Sequence, residues 1–209
     1  DYVETVRDDS DLPTWTATDG AENQEALDLN CYLYVQEKCL AFMAKELGIP
    51  DKSEDFELSA TERMDTINNN LWHEEDACYY GKDLQNDNWA RVKDISTFMP
   101  LWAGLATNDR AEKLVELLGQ KAFNTKYPVP TLAVDEPTFV SDGHWHGSNW
   151  IEMTWLVILG LKKYGYYEKA AELAYTNVKM VFDVLEKSGH FREYYDTQTG
   201  EPGRACLYD

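Results

Sequence analysis

The chain has 209 residues and carries 38 acidic against 19 basic side chains, a formal net charge of −19. That imbalance excludes nucleic acid, whose phosphates would be repelled, and anionic membrane surfaces, while a neutral partner such as a sugar suits it. With 44% hydrophobic and 13% aromatic residues, the chain is expected to bury a core as one domain spanning 1–209, or as a piece of a larger one.

No apolar run approaches the roughly 20 residues that span a bilayer, and no signal-peptide pattern is visible. Beginning at Asp1 without a methionine, the chain is expected to be a processed or fragmentary product, so its compartment stays open. Cys31, Cys39, Cys78 and Cys206 are widely spaced and form no zinc pattern. Cys31 and Cys39 lie two helical turns apart, too far to bridge each other, and the four read as packed thiols.

Residues 1–26 are polar and irregular, a loop of a length that usually serves function or is disordered. A first helix is expected from Asp28 to Leu47, with Leu29, Leu33, Gln36, Leu40, Met43 and Leu47 on its buried face. Gly48-Ile49-Pro50 ends it. A second runs from Ser53 to Leu71 with Phe56, Leu58, Met64, Ile67 and Leu71 inside. Trp72 to Tyr80 leads into a short strand, and Tyr79 is expected to pair near Ala90 in a small hairpin. Asp87 lies in that turn, without the ligand spacing of a calcium loop.

Ile95–Ala106 reads as a third helix, apolar on nearly all sides, with Pro100 either kinking it or sitting in its first turn. Thr107 or Asn108 caps a fourth that ends at Gly119. A long non-helical crossing covers 123–147. The fifth helix spans Asn149–Tyr164 and the sixth Tyr167–Lys187. Short turns and long aromatic loops therefore alternate, as in an all-α toroid of paired helices whose long loops build one working rim.

Hydrolysis of a glycosidic bond with inversion needs two carboxyl groups roughly 6.5–9.5 Å apart, one protonating the leaving oxygen and one activating water. Glu193 sits on an extended segment between aromatic and cationic residues, and Thr199-Gly200-Glu201-Pro202-Gly203 then turns the chain. Three aromatic-rich loops fall on the same rim: Val6–Trp15, His144–Trp150 and Phe191–Tyr195. Glu152 could face the cleft, although a solvated helix carboxylate is the plainer account. His144 and His146 suit hydrogen bonding better than metal ligation. Trp102 and Trp155 read as core, whereas Trp15, Trp145 and Trp150 divide between packing and sugar stacking.

Four segments resemble the C-terminal part of the (α/α)6-barrel glycosidases of clan G: glycoside hydrolase family 63, with its mannosylglycerate hydrolase relatives, and the trehalases of family 37. They are Asp28-Leu29-Asn30 opening a helix, Tyr127-Pro128-Val129-Pro130-Thr131-Leu132, the stretch Gly143–Trp150 with the helix through Tyr166, and Phe191–Asp196 with Thr199–Pro202. The resemblance implies an all-α (α/α)6 toroid-type barrel, about half of it present, with small β-hairpins in the loops.

It also implies that Glu193 is the general base. Glu4–Ser10 and Pro13–Trp15 resemble the loop that carries the general acid, with about two extra residues between them; Asp8 is the first choice, and Asp9 and Asp11 stand beside it. Trp15, Trp145, His146, Trp150, Arg192 and Tyr194 are the implied sugar contacts, His146 standing where the family has arginine. The acid needs a raised pKa, supplied by burial and by the like charge of the base. No organic cofactor or metal is implied. The expected activity is that of an inverting α-glycosidase acting on α-linked glucosides or mannosides. The alternatives are a non-catalytic half-barrel, completed by the missing N-terminal half or as a homo-oligomer, and a structural helical domain.

Overall fold

The computed structural model describes residues 24–84 and 87–203. Asp8, Asp9, Asp11, Trp15 and Cys206 lie outside the described residues. Within them are six α-helices: α1 (Leu27–Glu46), α2 (Pro50–Asn70), α3 (Met99–Ala103), α4 (Asn108–Leu118), α5 (Ile151–Lys163) and α6 (Tyr167–Ser188). A 3-10 turn, Ile95–Phe98, leads directly into α3. The strands are short: β1 (Gln24–Glu25), β2 (Trp72–His73), β3 (Cys78–Tyr79), β4 (Gly81–Asp83), β5 (Trp89–Ala90), β6 (Asn149–Trp150) and β7 (Tyr194–Tyr195).

The helix boundaries follow from local chemistry. Pro50 opens α2 in the first turn, where a missing N–H costs nothing. Thr107 caps α4 by accepting from the Arg110 N–H, and Gly119 ends it. Pro100 sits in the first turn of α3 rather than kinking a longer helix. Gly104 then closes α3 in the left-handed conformation at φ 80°, so the third helix is a 3-10 turn plus five residues.

α1, α3 and α5 pack side by side, with α2 against α1 and α6 against α5. α4 packs on β3, and the Tyr164 hydroxyl and Lys169 ammonium tie the α5–α6 pair to it through Ala106 O (2.7 Å) and Val115 O (3.1 Å). Contact between α3 and α5 is close because Gly160 has no side chain: a Cβ there would lie 2.7 Å from Leu101 Cβ. α3 and α5 each follow a long connection, and each of the three side-by-side helices precedes a short turn. They therefore run in the same direction, and their N-termini share the rim that carries the long connections. Every strand pair lies in those connections, as a helical toroid with small loop hairpins requires.

Four expectations are corrected. The Leu29–Leu47 stripe of α1 does not face the core: Leu29 and Met43 are about half exposed and Leu47 is 74% exposed. The buried positions are Leu27, Cys31, Ala41 and Ala44, because α1 meets α2 through small residues that allow close approach, and the Ser53 hydroxyl donates to Ala41 O. Trp155 is not core either, at 52% exposure on the outer flank of α5, while Trp102 is half-buried edge-on to Tyr32. Cys39 is exposed; Cys31 and Cys78 are buried. Tyr79 pairs with Trp72 rather than near Ala90, and it is Gly81 that meets Ala90, so two adjacent ladders replace one hairpin. Among the described residues no helix is long and apolar enough to cross a membrane.

Candidate active site

The long-connection rim is built around the β6–β7 pair, in which Asn149 opposes Tyr195 and Trp150 opposes Tyr194. Side chains directly opposite in an antiparallel pair share one face. Here that pairing starts an aromatic stack. The Trp150 and Tyr194 rings lie 5.3 Å apart at 15°, and Trp145 stacks on Trp150 at 3.9 Å and 10°. The His144 ring meets Trp150 and Tyr194 edge-on at 5.0 and 5.3 Å. The Trp150 indole N–H donates to His144 O at 2.7 Å, and the Ser148 hydroxyl donates to the same oxygen. Trp150 and Tyr194 are buried, and Trp145 is half-buried as the outermost ring. Gly203 backs the stack from the other side: a Cβ there would lie 1.8 Å from the Tyr194 ring.

Beneath the aromatics is a buried amide knot. The Asn149 side-chain NH2 donates to Pro128 O (2.7 Å) and to Asn177 Oδ1 (2.6 Å). The Asn177 NH2 donates to Pro128 O at 2.7 Å, and the Thr154 hydroxyl donates to Asn149 Oδ1 at 3.1 Å. One knot thus fixes the Tyr127–Leu132 segment, β6, α5 and α6 against one another. Thr131 and Thr197 extend it: the Thr131 hydroxyl accepts from Gly147 N–H and donates to Ser148 O, while the Thr197 hydroxyl donates to Gly147 O. Three of the four motif segments that were distant in sequence are therefore stitched into one corner. Buried polar networks of this kind hold a site rigid only when every member is satisfied, and these members are.

Glu193 rises from this corner directly before Tyr194. It is exposed, and among the described residues it meets no hydrogen-bond donor and no cation. Arg192 beside it is half-buried, with its main-chain N–H donating to the Tyr195 hydroxyl at 3.1 Å. The following turn is held by Asp196, whose carboxylate accepts from the Gln198 and Thr199 N–H groups at 2.7 and 3.1 Å. That turn fixes the direction in which the Glu193 segment leaves the helix. His146 is half-buried in the turn between the crossing and β6, and its carbonyl accepts from Val140 N–H.

Two further carboxyl groups of this rim are perturbed. Burial, and then the negative charge of Glu193, push the Glu152 carboxyl above its ordinary range, its own main-chain N–H acting in the opposite sense. Glu152 is exposed in the first turn of α5, as a solvated helix carboxylate would be, and it lies within the field of Glu193. Burial pushes Asp94, the cap of the 3-10 turn, up to about 7; hydrogen bonds from Ser96 oppose the rise, and the charges of Asp28 and Glu136 add to it. Sequence reasoning had no role for Asn149, Asn177 or Asp94. A buried asparagine in mid-helix, such as Asn177 in α6, carries no local signature, whereas Glu152 could be found from its place two residues past Trp150.

A model of the mannosylglycerate hydrolase MGH1-like glycoside hydrolase domain matches residues 1–209. A mannosylglycerate hydrolase of Thermus thermophilus is 32% identical over 131 residues, covering 63% of this chain and 30% of its own length. Mannosylglycerate hydrolase MGH1 of Selaginella moellendorffii is 29% identical, covering 82% of this chain and 34% of its own. Among solved structures, the family 63 mannosylglycerate hydrolase of Thermus thermophilus in complex with glucose superposes with a TM-score of 0.75 at 27% identity. It covers 88% of this chain, which in turn covers 45% of it. The neutral trehalase Nth1 of Saccharomyces cerevisiae shares the fold at a TM-score of 0.73 and 24% identity. The chain thus spans about a third of the length of these curated relatives, and its helices are part of an (α/α)6 barrel.

Proposed function

The chain belongs to the MGH1-like glycoside hydrolase family, and on that premise we propose that it carries the general base of an inverting α-glycosidase acting on α-linked glucosides or mannosides. The observation that supports this most is Glu193 itself, an exposed acceptor that meets no donor among the described residues and directly precedes Tyr194, whose ring stacks on Trp150. In this proposal Glu193 takes a proton from water as that water attacks the anomeric carbon in a single displacement. The leaving oxygen receives its proton from the acid loop, from Asp8 first and from Asp9 or Asp11 in its place. Inversion follows because water and leaving group occupy opposite faces of the sugar.

The remaining roles are positional. Trp145 offers its open side to the flat C–H face of a sugar ring, while the buried Trp150 and Tyr194 fix its angle. Arg192, His146 and Trp15 complete the proposed sugar contacts. A relative of this family is known in complex with glucose, and another structure of it with Tris and D-glycerate. Mannosylglycerate is therefore the first compound to try among the α-mannosides.

A second account, a half-barrel whose remaining helices come from elsewhere, is favoured by the coverage of a third and by the apolar edges of α1 and α6. Replacing Glu193 by Gln separates the two. Loss of turnover by about 10³-fold or more, with the fold and sugar binding kept, is the outcome expected of a general base. Turnover at the parent rate removes Glu193 from that role. A parent chain that binds sugar without hydrolysing it favours the half-barrel.

A further inference from the structure

Resting on the assignment of Glu193 as base, we propose that Glu152 is a second carboxylate of the same site, which binds a hydroxyl of the sugar that Glu193 serves and selects for sugars that carry it.

Its placement follows from the strand register. Trp150 and Tyr194 are directly opposed, Glu193 precedes Tyr194, and Glu152 follows Trp150 by two residues. The two carboxylates consequently leave the same end of the β6–β7 pair. α5 begins at Ile151, which puts Glu152 in its first turn, on the rim where α1 and α3 also begin. Neither carboxylate meets a cation among the described residues, and the one donor near Glu152 is its own main-chain N–H. Both side chains are exposed, and the Glu193 charge reaches Glu152, adding to the rise of its carboxyl that partial burial begins.

Two ionised carboxylates offer acceptors and no donors. Where neither has a protein donor, both are open to donors that a ligand brings. A ligand that satisfies both must bring several hydroxyl donors on adjacent atoms, which is the chemistry of a sugar ring. The competing account is that Glu152 only complements the positive N-terminus of α5, a helix with no side-chain cap. That role makes no distinction between one sugar hydroxyl and another, so the two accounts part on specificity.

The test titrates methyl α-mannoside, methyl α-glucoside and their monodeoxy analogues, one hydroxyl missing at a time, into the parent chain, Glu152→Ala and Glu152→Gln, with tryptophan fluorescence as readout. One monodeoxy analogue is expected to bind the parent about 10- to 100-fold more weakly than the full sugar, the range for a hydrogen bond to a charged group. Glu152→Ala should lose a similar factor on the full sugar and no longer distinguish the two, with Glu152→Gln between them. Glu152→Ala with parent affinity, or weakened affinity with the deoxy discrimination intact, overturns the proposal. So does a parent chain that binds none of these sugars. Glu193→Gln is measured alongside for turnover. Its activity decides the base independently, because loss of deoxy discrimination in Glu152→Ala stands whether or not Glu193→Gln still hydrolyses.

Discussion

The rim corner around β6 and β7 and the two free edges of the helical arc solve the same packing problem in opposite ways. At the corner every buried amide and hydroxyl of the Asn149–Asn177–Thr154 knot has its partner, and the exposed group is a carboxylate. Along the edges the apolar side chains are exposed. Phe42, Met43, Leu47 and Leu58 stand out from the α1–α2 pair. Trp155, Val178, Phe182 and Phe191 line or flank a groove of about 290 Å³ between α5 and α6. Contiguous apolar surface of that kind marks a contact region in soluble proteins. The corner is complete within these residues and the edges are not, which is what a segment of a larger toroid should show. Phe191 belongs to both regions, two residues from Glu193, so whatever covers the groove also bears on the base.

The comparison can be broken most strongly at the knot. Replacing Asn149 by Leu strips donors from Pro128 O and Asn177 Oδ1 together and leaves the Thr154 hydroxyl without its acceptor. A loss of about 3 kcal/mol or more is expected in denaturant unfolding, with weaker sugar binding in the surviving fold. A smaller cost would mean that the corner is less rigid than its hydrogen bonds imply.

Asp94 gives an intermediate effect with a defined sign. Its folded pKa, about 7, lies above the ordinary value of 3.8. The folded protein therefore binds the proton more tightly than the unfolded one, and stability contributed by this group falls as pH rises from about 4 to about 7. Asp94→Asn removes the ionisation while retaining an acceptor for Ser96. The variant should match the parent near pH 4 and exceed it by roughly 4 kcal/mol at pH 8, a gap that opens between those limits. A gap that closes with rising pH would mean that Asp94 is held ionised.

The smallest effect is expected at the edge. Phe182→Ser removes an exposed ring, so its unfolding free energy should stay within about 0.5 kcal/mol of the parent. Its readout is mass in solution: sedimentation should show less self-association than the parent. Unchanged association would move the sticky surface elsewhere.

Much of this fold is legible in the sequence where local chemistry decides it. Pro50, Thr107, Gly119 and the Gly200 turn mark boundaries through backbone geometry alone, and five of the six helices end within a few residues of expectation. What periodicity could not decide is which apolar face of α1 meets its neighbours. Leu29, Met43 and Leu47 share a stripe, yet small residues on another face make the close contact with α2, and the large ones lie along an open edge. Trp155 fails for the same reason, since an apolar side chain on a seam looks in sequence like one in a core. The extended segment at Tyr194–Tyr195 was legible because aromatic and turn residues frame it. That Glu152 comes near this segment was not legible, because it depends on a strand pairing between residues far apart in the chain.

The most direct test of the central assignment is to follow, by proton NMR, which anomer appears first when the chain is incubated with α-mannosylglycerate and with α-glucosides. First appearance of the β-anomer, abolished in Glu193→Gln, is the predicted result. First appearance of the α-anomer, or the same rate in Glu193→Gln, would contradict it.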